Sequence, residues 1–186
     1  MSSPVYRLTA IILKRKNTGE SDRVITVFSK EKGKVRLLAK GVRSIRSRRA
    51  SYLEPLSRSV LMVRSYPGID SITQAESYGK TMGTQESMHT IGAKYYIGEI
   101  LAGLIPDNEA HPSIFDETVS LLDSLEGSSR EASHTLLCAY TQSLLWQLGF
   151  ISSNVRFGKV EEAAAKVEQI LEKRLKVRKY LALTVS

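Results

Sequence analysis

The stretch from Tyr6 to Ala39, YRLTAIILKRKNTGESDRVITVFSKEKGKVRLLA, decides the fold class. Leu8-Thr9-Ala10-Ile11-Ile12-Leu13 is dominated by aliphatic and β-branched residues, and Asn17-Thr18-Gly19 behind it carries turn chemistry. A first strand is therefore expected over 6–13. Arg23 to Ser29 is a second β-rich run, closed by Lys30-Glu31-Lys32-Gly33, where glycine can take the positive φ of a hairpin turn. In the third run, 34–39, Lys34 and Arg36 alternate with Val35 and Leu37, which puts both cations on one sheet face.

Working outward, 56–64 and 69–76 are two more β-rich runs, separated by the turn-like Ser65-Tyr66-Pro67-Gly68. Five short strands with a long basic connection between the third and fourth fit a small closed barrel of the OB type, and an SH3-like barrel fits the same pattern. After Lys80 the hydrophobic period becomes helical. Helices are expected over 88–105, closed by Pro106, and from His111-Pro112 to Gly127, with Asp116 and Glu117 complementing its dipole. A third is expected from Ser128, whose spacing to Glu131 suits a capping box, to Gly149. The last is expected over 160–181, alanine-rich at first and basic through 173–179. The sequence thus reads as α+β: a five-stranded OB-fold domain for nucleic acid over 1–80, then an all-α domain over 81–186.

The 186 residues are 42% hydrophobic and 25% charged, an ordinary globular composition. No run reaches the about 18 apolar residues of a spanning helix, and Met1 to Arg7 lacks the pattern of a signal segment. With Cys138 as the single cysteine, the expected setting is a reducing cytoplasm, without a disulfide framework or a multi-cysteine zinc site. The charge is uneven. Residues 1–80 carry +11, residues 81–155 carry −7 and residues 156–186 carry +4, within a total of +8. Such a basic first half suits a polyanionic partner or a solvated basic face.

Catalytic patterns are lacking. His89, His111 and His134 fall in different segments without metal-ligand spacing, and there is no phosphate-binding G-x-x-x-x-G-K-S/T loop. Gly92, Gly98 and Gly103 lie in a helical pattern that close packing explains, and Cys138, beside Leu136 and Leu137, reads as a small core residue. The reading is of a chain that is not an enzyme and takes no metal or cofactor. Residues 34–49 stand apart: Lys34, Arg36, Lys40, Arg43, Arg46, Arg48 and Arg49 occur there with no acidic residue. Arginine offers a planar fork to phosphate oxygens and lysine a point charge, so these seven are the candidate DNA contacts. Tyr52 and Tyr66, at loop positions, are candidates for base stacking or for half-buried packing.

The runs Gly19-Glu20-Ser21-Asp22-Arg23, Val27 to Lys34, Leu38 to Arg43, Leu53-Glu54-Pro55-Leu56 and Thr73-Gln74-Ala75-Glu76, in that order, resemble the amino-terminal half of the RecO family of bacterial DNA repair proteins. Weaker similarity continues through Tyr95 to Leu101, Leu104-Ile105-Pro106, Leu145 to Phe150 and Leu175 to Leu181. The resemblance implies an OB-fold domain followed by a helical domain, working as a recombination mediator in the bacterial cytosol at the nucleoid. It implies binding to single- and double-stranded DNA, annealing of complementary strands, and work with RecR, the acidic tail of single-stranded DNA-binding protein, and the loading of RecA. Many members also carry a cysteine zinc finger after the Leu-Gly-aromatic sequence. Here Leu148-Gly149-Phe150 leads to Ile151-Ser152-Ser153-Asn154, and the finger is expected to be missing.

Beside that resemblance, Gly19 to Arg23 reads as structural, with Asp22 capping or bridging locally and Arg23 pairing with Glu20 or Asp22. Lys173, Arg174, Lys176, Arg178 and Lys179 are read as a rim for a partner peptide, a second DNA contact or a solvated face. Two rival functions remain beside the mediator: an adaptor that binds single-stranded DNA-binding protein through the helical half, and an RNA-binding barrel.

Overall fold

The computed structural model describes residues 4–44, 47–79 and 87–177. They form two compact units, one holding the described residues up to 79 together with Ile105–Pro112, the other holding the helices. In the first, β1 (Val5–Thr18), β2 (Asp22–Ser29), β3 (Gly33–Ala39), β4 (Arg58–Arg64) and β5 (Ser71–Ser77) close a ring in the order β1-β2-β3-β5-β4. Strand β1 pairs antiparallel with both β2 and β4, and β3 meets β5 in parallel. That connectivity is OB-like and resolves the choice left open against an SH3-like barrel.

The interior follows the two-residue period of the strands. Leu8, Ala10 and Ile12 of β1, Ile25 and Val27 of β2, Leu37 and Ala39 of β3, Leu61 and Val63 of β4, and Ile72 and Ala75 of β5 form one buried cluster. Val42 and Leu53 plug it from the connection between β3 and β4, where a short 3-10 turn spans Ala50–Leu53. The β3–β5 seam pairs Leu38 with Ser71 and is tied by bonds around that pair. The Leu38 amide donates to the Asp70 carbonyl at 2.8 Å, and Ser71 Oγ donates to the Leu38 carbonyl at 3.2 Å. The Arg49 guanidinium spans the seam, donating to the carbonyls of Ile72 at 2.6 Å and Lys40 at 2.7 Å.

Two strand features depart from the expectation. Strand β1 continues to Thr18 instead of stopping at Leu13, because a bulge between Ile12 and Lys14 breaks the alternation while the pairing to β2 resumes at Lys14 and Thr26. The segment Ile105–Pro112 adds to the barrel edge: Lys34 bridges Asp107 in parallel, and the Asn108 amide donates to the Lys34 carbonyl at 2.9 Å.

The second unit comprises α1 (Met88–Leu104), α2 (Pro112–Ser124), α3 (Arg130–Gln147) and α4 (Val160–Leu171). Tyr96 on α1 and Tyr140 on α3, both buried, bond to the hydroxyls of Thr141 and Thr118. Gly103 admits α4, since a Cβ there would lie 2.7 Å from Leu171 Cδ1. Three helical expectations are corrected. Ser129, not Ser128, caps α3, accepting from the Ala132 amide at 3.2 Å, while Ser128 bonds Ser133 Oγ at 2.7 Å. Asp116 and Glu117 both lie beyond the first turn of α2, where the dipole has faded, and Glu117 instead accepts from Ser143 and Gln147 of α3. Helix α4 ends at Leu171, not at 181, because Glu172 is left-handed at φ +50. Beyond it Leu175 donates its amide to the Glu168 carboxylate, and Lys176 and Val177 donate theirs to the Glu99 carboxylate at 2.9 and 3.0 Å, so acidic side chains replace helical partners.

Candidate nucleic-acid interface

The bulge in β1 sets the site. Beyond it Lys14 stands opposite Thr26 of β2, and Thr26 stands opposite Arg36 of β3, so the three share the outer face of the sheet. One step on, Lys16, Val24 and Leu38 make a second row on that face. With strands about 4.8 Å apart, Lys14 and Arg36 lie about 10 Å from each other across the sheet. Lys14, Lys16 and Arg36 are all exposed. Between the two lysines, Arg15 registers with core-facing Ile25 and forms an ion pair with Glu54. Lys14 and Lys16 were not among the residues singled out from sequence. Their alternation about Arg15 was the available signal, hidden once the strand was ended at Leu13.

The seven cations of 34–49 divide into classes. Arg36, Lys40, Arg43 and Arg48 are exposed, and Arg46 lies outside the described residues. Lys34 is drawn inward, its Nζ 3.2 Å from Asp107 with the side chain 15% exposed. Arg49 holds the barrel seam. Asp22 bridges, but not locally as expected: its carboxylate accepts from the Gly41 amide at 2.7 Å, nineteen residues on, while the Arg43 amide donates to the Ser21 carbonyl. Arg23 differs from the expectation: its Nε donates to Asn17 Oδ1 at 3.0 Å, not to Glu20 or Asp22, because pairing across the hairpin places Asn17 directly opposite.

Tyr66 and Tyr52 are both exposed, at 41% and 37%. The Tyr66 amide and Ser65 Oγ each donate to Asp70 Oδ1 at 3.0 Å, and Tyr6 donates its hydroxyl to Oδ2. Lys32 Nζ sits 3.6 Å over the Tyr6 ring and Lys40 Nζ 5.4 Å over the Tyr66 ring. Burial opposes ionisation of Asp70, but the bonds from Tyr6, Tyr66 and Ser65 and the Lys32 charge outweigh it and hold the carboxyl below its ordinary value. A depressed carboxylate stabilises the fold above the unfolded value, about pH 4, and that contribution disappears as pH falls through the folded value. Asp70→Asn is expected to lower stability by about 1 kcal/mol at pH 7, with the gap to the unaltered chain narrowing toward pH 3. Urea unfolding at the two pH values checks this; a gap that widens on acidification contradicts it.

Residues 1–80 match the family described as Recombination protein O N terminal, and residues 85–153 match Recombination protein O C terminal. The chain belongs to the RecO family. It is similar to proteins named DNA repair protein RecO from Pelotomaculum thermopropionicum, 30% identical over 127 residues, Thermosynechococcus vestitus, 33% over 132, and Rhodopirellula baltica, 31% over 137. These alignments cover 68%, 71% and 73% of this chain and 50%, 47% and 50% of the respective relatives. The chain therefore spans about half the length of the curated relatives it matches. Membership places it in a family whose models are named for recombination protein O and whose curated relatives are named for DNA repair.

The four-cysteine zinc set of many RecO-family members does not fit these residues, since Cys138 is the single cysteine in the sequence. Cys138 is also not the core residue expected. It is half-buried on the wall of a groove of about 1230 Å³ between α3 and the start of α4, and its thiol donates to the Phe157 carbonyl at 3.1 Å. Burial, then Glu162 and Glu161, push the thiol above its ordinary value, the wrong direction for a nucleophile. Arg130, His134, Arg156 and Lys159 line the groove along with Glu131, Glu161, Phe157 and Val160. Lys173, Arg174 and Lys176 are not among its lining residues; they are exposed on the segment after α4, so the single basic helical face expected there is not formed. Arg178 and Lys179 lie outside the described residues. His89 bonds the Ser128 carbonyl, and His111 stands 3.4 Å from Glu109. Among the described residues no helix is long and apolar enough to cross a membrane.

Proposed function

We propose that this RecO-family chain holds DNA on the outer β1-β2-β3 face and on the adjoining connection, bringing complementary strands together by neutralising their phosphates. The observation that carries the reading is the cross-strand row in which Lys14 and Arg36 flank Thr26, extended by Lys16. Lys40, Arg43 and Arg48 continue the exposed cations into the connection. Charges fixed on a sheet repel a mobile polyanion's counterions and lower the repulsion between two strands held side by side, which is what annealing requires. Lys34 and Arg49 shape the surface from within instead of touching phosphate. Family membership supports both single- and double-stranded DNA as ligands, and work with RecR and single-stranded DNA-binding protein toward loading of RecA.

The test is binding of labelled single-stranded DNA across a salt series, with annealing of complementary strands followed in the same samples. Six exposed cations on phosphates predict a slope of log K against log salt of about −4 for a single strand. A slope near zero, or binding without faster annealing, overturns the reading. The groove beside α3 supports a second one, an adaptor that takes an acidic peptide, because Arg130, Arg156 and Lys159 line a partly apolar cleft in which Glu131 and Glu161 offset only part of their charge. Capture of single-stranded DNA-binding protein that depends on Arg156 and Lys159, with no annealing, favours it.

A further inference from the structure

We propose that Tyr66, backed by Lys40, is a stacking subsite for one unpaired nucleobase, and that this subsite makes the barrel distinguish single strands from duplex. The inference rests on the DNA-holding reading and names the form of DNA that the same surface prefers. Tyr66 is among the large apolar side chains the barrel leaves exposed, at 41%. Its backbone is nonetheless held: the Tyr66 amide and Ser65 Oγ bond to Asp70, and the Ser65 amide bonds to the Pro4 carbonyl at 2.9 Å. A ring presented by a tied turn loses little further freedom when a base lies on it.

Lys40 fixes which side of the ring is used. Its ammonium lies over one π-face, 5.4 Å from the ring centroid, so a stacked base would take the opposite face. Lys40 is itself placed from behind, by the bond from Arg49 to its carbonyl. Along β3, Arg36 and Leu38 occupy successive outward positions, and Lys40 continues that alternation just past the strand end. The run from Arg36 to Lys40 covers about 13 Å of extended chain, so a phosphate backbone following it arrives at the Tyr66 ring. A single strand brings an unstacked base to that point. A duplex keeps its bases paired inside and offers only phosphate, to which the ring contributes nothing.

The experiment compares the full chain with Tyr66→Ala and Tyr66→Phe, measuring Kd for a labelled single strand and for a duplex of equal length at one low salt concentration. Tyr66→Ala is expected to weaken single-strand binding about tenfold and leave duplex binding and the salt slope unchanged, because a stacking partner is lost and no phosphate contact is. Tyr66→Phe is expected to behave like the unaltered chain. An equal loss on both forms of DNA, or no loss on either, overturns the subsite while leaving the DNA-holding surface standing. Failure of the unaltered chain to bind single strands with salt dependence removes the underlying reading and the subsite with it. Unfolding curves of both variants that superimpose on the unaltered chain's assign the Tyr66→Ala effect to the ring, and a loss that follows a shifted curve counts against it.

Discussion

Gly33→Ala is expected to destabilise the barrel by about 3 kcal/mol or more. Two causes act together. Gly33 begins β3 at φ +68, where an alanine costs about 1–2 kcal/mol in backbone strain. A Cβ there would also overlap the carbonyl of Glu109 and lie 3.0 Å from its amide nitrogen. Backbone is what the methyl meets, so no rotamer change relieves the clash. The segment Ile105–Pro112 must lift, and with it go the Lys34–Asp107 ion pair and the Asn108 amide bond to the Lys34 carbonyl. Gly19→Ala separates the causes, since Gly19 has φ +56 but open space where the methyl would go. Urea unfolding of the two variants is the measurement. A Gly33→Ala loss no greater than that of Gly19→Ala contradicts the close approach.

Joint reversal of Lys14, Lys16 and Arg36 to glutamate is expected to weaken single-strand binding at low salt by about 100-fold or more and to flatten the salt slope by about 2, as three phosphate contacts disappear. All three are exposed, so the expected change in stability is small, within about 0.5 kcal/mol for each. Arg49→Glu is the informative contrast. It removes the guanidinium from the carbonyls of Ile72 and Lys40, and its loss of binding is expected to follow loss of the closed barrel. Anisotropy titrations beside thermal unfolding distinguish the two. A triple variant whose slope is unchanged contradicts the placement of DNA on this face.

The sequence was legible where side-chain period and environment agreed. Alternation of Lys34 and Arg36 with Val35 and Leu37 separated the cations from the apolar pair, and the structure buries Leu37, packs Val35 partly buried against the core and leaves Arg36 exposed. It was misleading at Leu13, where one residue of bulge shifts the phase and conceals Lys14 and Lys16 as partners of Arg36. Long-range partners left no local trace: nothing around Lys34 announces Asp107, and nothing around Arg49 announces the Ile72 carbonyl, since both depend on closure of the ring. The end of α4 was overrun for a related reason. Lys173 to Val177 has ample helix propensity, but the Glu168 carboxylate takes the Leu175 amide and the Glu99 carboxylate those of Lys176 and Val177, in a non-helical path.

The docking of Ile105–Pro112 on the barrel edge also governs when the first unit can finish folding. Strand β5 ends at Ser77, yet the edge of β3 gains its last partners from Asp107 and Asn108, after α1 has been made. At a synthesis rate of about 5–20 residues per second, a nascent chain waits about 2–6 s between completing β5 and acquiring that segment. During the wait the β3 edge is an open strand, available to any other extended chain. The interval in which this barrel can mispair is thus written into the order of its sequence, and shortening it requires faster elongation through α1 rather than a more stable barrel.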